Sequence, residues 1–262
     1  MIEFILTNIE LMLQTIVLVY IFLRSTALVR KSEQPVIPVL YCFGVLSYLV
    51  SNLYWIAHTL MYPGMRIPFT VNLMGENAIF LLFGAVLMTF FKKENLRPGI
   101  ETPLTIVFTI AIVGLWIIWS GEWLKDILSG LIYAYYICIC IRALRFSQAV
   151  SKKDLSYIAI TAFAVICLQY AISVFDLSID VYLEIILYIL SYMVLILCIY
   201  KTISMIRSRS NDKALSLAFF CLLWSTNILY MSDRFYYLFT SFIVSFILII
   251  TYLAVRNAVE EL

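Results

Sequence analysis

About nine stretches of roughly 20 residues, nearly free of charge and separated by short polar punctuation, run through this 262-residue chain. A helix rises 1.5 Å per residue and the hydrocarbon core of a bilayer is about 30 Å thick, so each stretch is long enough to cross a membrane. The expected spans are 4–25, 36–62, 68–91, 102–121, 124–143, 155–175, 181–204, 214–232 and 235–256. Composition excludes the soluble alternative. Hydrophobic residues make up 64% of the chain and charged residues 13%, against about 25% charged in an ordinary globular domain. The fold class is therefore all-α: a polytopic transmembrane helical bundle, a single integral membrane domain over 1–262 with short loops. The fifth stretch is the weakest. Only Ile127 to Ile141 is free of charge there, and a shorter or interfacial segment would leave eight spans.

The basic residues favour nine. Arg24, Arg30 and Lys31 follow the first span, Lys92, Lys93 and Arg97 the third, Arg142, Arg145, Lys152 and Lys153 the fifth, Lys201, Arg207, Arg209 and Lys213 the seventh, and Arg256 closes the ninth. That puts fifteen of eighteen on one side and leaves Arg66, Lys125 and Arg234 on the other. Lysine and arginine in short loops mark the cytoplasmic side, so the N-terminus is expected outside and the C-terminus inside, in the cell membrane. The first span begins with Glu3 and Glu10 where a secretory leader carries basic residues, and is read as a retained helix. Trp116, Trp119 and Trp123 fit an interfacial anchor.

Polar side chains inside spans are costly, about 2.5 to 3.5 kcal/mol for a charged one at the bilayer centre, and so point to sites. Here they gather in the outer halves. Residues at i, i+3, i+4 and i+7 share a helix face, which aligns Thr7, Glu10 and Gln14; Ser51, Trp55, His58 and Thr59; Asn72 and Glu76; Gln169, Ser173 and Asp176; Glu184, Tyr188 and Ser191; and Asn227, Tyr230 and Arg234. The expected ligand site is a polar, outward-opening pocket lined by Glu10, Asn52, Trp55, His58, Asn72, Glu76, Gln169, Glu184, Asn227 and Tyr230, with an apolar inner half below. Glu76 lies about two turns into its span, and His58 is its expected partner in a proton-sensitive contact.

Enzyme readings fare poorly. One histidine cannot furnish a zinc hydrolase, a di-iron centre or bis-histidine haem, and no H-E-x-x-H or Gly-x-Gly-Asp occurs. Trp119-Ser120-Gly121 lacks the glycine two positions before the serine that an intramembrane serine nucleophile would need. Lys201 lies at the inner end of its span and no lysine sits mid-span to hold retinal, and no glycine-rich phosphate loop is present. The six cysteines fall in middle or inner halves, away from His58, and read as packing residues. No catalytic residue, metal ligand or cofactor is expected, and a net charge of +2 without a basic block gives no sign of nucleic-acid binding.

The expected function is a non-enzymatic membrane protein that binds a small polar or cationic ligand, acting as a sensor or as the membrane subunit of an uptake system with a partner membrane or cytoplasmic subunit. Two other classes follow from the same residues. One is a proton-coupled secondary transporter relaying through Glu76, His58 and Glu184. The other is a lipid-processing enzyme with His58 and Glu76 as acid and base. Few glycines and no mid-span prolines favour continuous helices and weigh against a carrier with broken helices.

Overall fold

The computed structural model describes residues 2–62, 69–92, 96, 98–99, 101–174, 180–232 and 234–261. Within them nine helices form the chain: α1 Ile2–Lys31, α2 Val36–Met61, α3 Phe69–Phe90, α4 Glu101–Ser120, α5 Trp123–Ser147, α6 Lys152–Val174, α7 Asp180–Arg207, α8 Asn211–Met231 and α9 Arg234–Glu260. In lipid the backbone must satisfy its own hydrogen bonds, and uninterrupted helices do so. Eight of the nine are long and apolar enough to cross a membrane, and α3 is an apolar helix of 22 residues. The protein is a multi-pass membrane helical bundle. α5 is a full 25-residue helix, so the shorter reading of the fifth stretch is not what forms. α1 and α7 run six and three residues past their expected inner ends, carrying Arg30, Lys31 and Arg207 on the extra turns. Long basic side chains reach polar surroundings from such positions.

Helix ends can be matched through their hydrogen bonds. The start of α8 meets the end of α9 where Asn211 Nδ2 donates to the Asn257 carbonyl, and it meets the end of α5 through Ser147 and Ser216, 2.7 Å apart. The start of α6 meets the end of α7 through Asp154 and Lys201, and the start of α4 meets the end of α5 through Glu101 and Arg145. At the opposite end the Tyr188 hydroxyl near the start of α7 donates to the Met231 carbonyl at the end of α8. Helices therefore alternate in direction, which collects Arg142 and Arg145 of α5, Lys201 and Arg207 of α7 and Arg256 of α9 at one end, as their spacing in sequence predicts.

α8 is the most enclosed helix and packs on α5, α7 and α9. α1 lies between α2 and α9, α3 between α2 and α5, while α4 and α6 sit at the periphery with α6 bridging α4 and α7. Peripheral helices turn apolar residues outward: Leu104, Val107 and Ile110 on α4, and Tyr157, Ile160 and Phe163 on α6, are each more than 60% exposed. For a helix whose outer neighbour is lipid this is the expected surface. The centre is aromatic. Phe83 of α3 stacks on Tyr41 of α2 at 5.5 Å and meets Phe219 of α8 edge-on at 5.3 Å. The Tyr136 hydroxyl of α5 donates to the Phe219 carbonyl at 3.2 Å, so four helices meet at this point. Gly44 on α2 faces the Phe83 ring where any side chain would collide with it, and a missing Cβ is what lets α2 and α3 close.

Candidate functional site

The halves of α1, α2, α3, α8 and α9 away from the basic end bring a connected set of polar side chains together. α1 supplies Glu10 and Gln14, one turn apart on one face and both buried. Asn52 of α2 donates through Nδ2 to Gln14 Oε1 at 2.6 Å, and Gln14 Nε2 donates to the Tyr48 hydroxyl at 3.4 Å. Tyr48 and Asn52 are also one turn apart, so two i, i+4 pairs interlock across the α1–α2 contact. From α3, Glu76 accepts a short hydrogen bond of 2.5 Å at Oε2 from the Tyr230 hydroxyl of α8. From α9 come Tyr237 and Ser241, with the Ser241 hydroxyl beside the Glu10 carboxylate.

Two carboxylates and three tyrosines thus share one neighbourhood. Tyr48 and Tyr237 each lie within electrostatic reach of both Glu10 and Glu76, and Tyr230 lies within reach of Glu76 and Tyr48. The aromatic wall continues on the α5 side. Trp116 of α4 meets Tyr230 edge-on at 5.9 Å and Tyr133 of α5 at 5.5 Å. Asn227, one turn before Tyr230, donates to its own Leu223 carbonyl and sits beside Tyr133. Chemically, acidic oxygens and hydroxyls set in aromatic walls form a setting for a positively charged or strongly hydrogen-bonding solute.

Of the ten residues expected to line the pocket, Glu10, Asn52, Glu76 and Tyr230 meet here, and Asn227 adjoins them. His58 does not pair with Glu76. Its ring lies between Tyr54 at 6.1 Å and Tyr62 at 5.3 Å on its own helix end, and its Nδ1 has no hydrogen-bond partner among the described residues. Instead a tyrosine from α8, the helix at the bundle centre, has taken the place expected for histidine. Trp55 is half-buried one turn before Thr59, whose hydroxyl bonds the Trp55 carbonyl. Gln169 is buried on α6, which packs on α4 and α7. Glu184 is half-buried on α7, one turn from Tyr188, whose ring stacks on Tyr236 of α9 at 3.7 Å. The side chains of Thr7, Asn72, Asp176 and Arg234 lie outside the described residues, as do the 63–68 and 175–179 turns.

Sequence reasoning missed Tyr48, Tyr237, Ser241 and Trp116 as members. The signal was present for three of them, since Tyr48 with Asn52 and Tyr237 with Ser241 repeat the four-residue spacing that singled out Glu10 with Gln14. Tyrosine, however, is so frequent here, at 18 residues, that its spacing alone discriminates little. Trp116 fits an interfacial anchor by position but turns inward, while Trp119 bonds Ser173 at 3.0 Å and Trp123 is 61% exposed, as anchors do.

At the basic end a second polar group forms. Glu101, at the start of α4, is held by Arg145 Nη1 at 2.6 Å and faces Arg142 Nε at 3.7 Å, while Arg142 Nη2 donates to Thr102 at 2.9 Å. Arg142 and Arg145 read in sequence as loop charges following the fifth span; they are turned onto a buried acid and tie α4 to α5. The six cysteines are all free, and no group of three metal-ligating acids, histidines or cysteines occurs among the described residues. Compared with protein-family models, with curated proteins and with solved structures, the chain matches none of them.

Proposed function

We propose that this chain is a non-enzymatic protein of the cell membrane whose cluster around Glu10, Gln14, Tyr48, Asn52, Glu76, Tyr230 and Tyr237 binds a small polar or cationic ligand reaching it from outside. One observation carries the reading: five helices converge polar side chains in one place within an otherwise apolar bundle, where each polar group costs free energy unless it has a role. Hydrogen bonding between helices accounts for the amides. It does not account for two carboxylates in one neighbourhood, since like charges oppose each other.

The helices run unbroken through the described residues, which favours a binding bundle over a carrier with unwound midplane segments. A lipid-processing mechanism through His58 and Glu76 lacks its acid–base pair, because the two make no hydrogen bond. A sensor or uptake subunit would work with a separate partner protein.

Thermal unfolding of the purified chain against a panel of small polar and cationic solutes tests this. A binder present at 100 times its Kd stabilises by about 2.7 kcal/mol, a rise in Tm of several degrees. The shift is expected to vanish in Glu76→Gln, and a melting curve unmoved by every solute removes the reading. The side of entry follows from orientation. A reporter active only in the cytoplasm is expected to work when fused after Leu262 and to fail when fused before Met1. The reverse pattern would turn the cluster toward the cell interior.

A further inference from the structure

Glu10 differs from every other member of the cluster. Its side chain is 2% exposed, and the donor beside its carboxylate among the described residues is the Ser241 hydroxyl, with neither carboxylate oxygen in a well-formed hydrogen bond. Its neighbours are already engaged. Gln14 is taken by Asn52 and Tyr48, and Tyr230 donates to Glu76. Among the described residues the titratable groups facing Glu10 are Tyr48 from α2, Tyr237 from α9 and, across them, Glu76 from α3, none of them basic. A buried carboxylate whose acceptors have one neighbouring hydroxyl and no well-formed hydrogen bond is an expensive arrangement that native structures avoid unless something else supplies donors.

What is missing is defined by chemistry: a positive charge to balance Glu10 and at least two hydrogen-bond donors on one small group. A primary ammonium has both, with three N–H donors on a compact cation. A quaternary ammonium has the charge and no donors. A neutral alcohol has one donor and no charge. Tyrosine walls accommodate the carbon part and attract the cation through their ring faces. We infer that Glu10 anchors the primary ammonium group of an organic amine, with Tyr48, Tyr237 and Ser241 as the walls of its seat. This assignment rests on the ligand-binding reading and names its ligand class.

The test uses the full chain in detergent with n-butylammonium, tetramethylammonium, n-butanol and sodium chloride, at equal ionic strength and constant pH, read by calorimetric titration and thermal unfolding. Only n-butylammonium is expected to bind and raise Tm, and Glu10→Gln, which preserves shape and removes the charge, is expected to weaken it at least tenfold. Equal binding of tetramethylammonium or sodium, or an unchanged affinity in Glu10→Gln, overturns the assignment. If Glu10→Gln does not fold, the wild-type comparison of the two ammonium ions decides by itself. Failure here is distinguishable from failure of the wider reading. A chain that ignores n-butylammonium but is stabilised by another small solute in a Glu76-dependent way keeps its ligand site and loses this ligand class. A chain that responds to nothing loses both.

Discussion

Glu101→Gln is expected to lower the stability of the folded chain by about 2 to 4 kcal/mol, because it leaves Arg142 charged and enclosed with no acid to face. The Arg142 side chain is 14% exposed and that of Glu101 9%, so water cannot take over the lost interaction. Arg145, at 45%, does have access to solvent and relaxes outward, which keeps the loss below the upper end for fully buried pairs. The position within the fold amplifies the effect: α4 is peripheral, packs on α5 and α6, and this cluster is its charged tie to α5. Unfolding in increasing denaturant would measure it. Adding Arg142→Met to Glu101→Gln is expected to recover much of the loss, since removing both charges also removes the unpaired one. A single variant within 1 kcal/mol of wild type, or a double variant worse than the single, would show that the cluster is not what holds α4.

Phe219→Ala carries the second large effect, with an expected loss of about 2 to 4 kcal/mol. Phe219 is fully buried on α8 and touches Phe83 of α3 and Tyr41 of α2, while its carbonyl receives the Tyr136 hydroxyl of α5. In water such a truncation loses both the transfer of the ring from solvent and the packing around it. In lipid the separated helices keep the ring in an apolar medium, so the packing and cavity part dominates, and the loss is shifted below the range of about 3 to 5 kcal/mol usual for a buried phenylalanine in water. Phe163→Ala on α6 is the control. That ring is 69% exposed toward lipid and its removal is expected to change stability by less than 0.5 kcal/mol. Equal losses at the two positions would mean that α8 is not the centre of the bundle.

Much of the architecture is written in one dimension. Lipid forbids unsatisfied backbone, so charge-free length translates directly into helices, and the expected spans coincide with α2, α3, α4, α6 and α8 to within about three residues at each end. The same logic makes the alternation of basic residues a record of helix direction. It even resolved α5, whose own hydropathy was ambiguous: Arg142 and Arg145 belong with Lys92 and Lys201, and only a ninth helix places them there.

Facing was less legible. In a water-soluble bundle the apolar stripe of a helix marks its inner side, but here lipid makes the outer side just as apolar, and Leu104 or Phe163 looks in sequence like a core residue. Polar residues were the remaining guide, and of those they singled out Glu10, Asn52, Glu76 and Tyr230 lie together in the structure. They did not choose partners. Glu76 and His58 were the natural pair by chemistry, but that choice requires knowing how neighbouring helices rotate about their axes. The rotation is decided by close steric fits such as Gly44 beneath Phe83 and by the central position of α8, which delivers Tyr230 to Glu76 and leaves His58 between tyrosines of its own turn. The sequence by itself determined that this is a bundle of alternating membrane helices with its polar residues toward one end. Only the tertiary structure decided which of those residues meet and that Glu10 stands buried among them with no cation and only the Ser241 hydroxyl beside it among the described residues, because pairing depends on contacts between residues far apart in the chain.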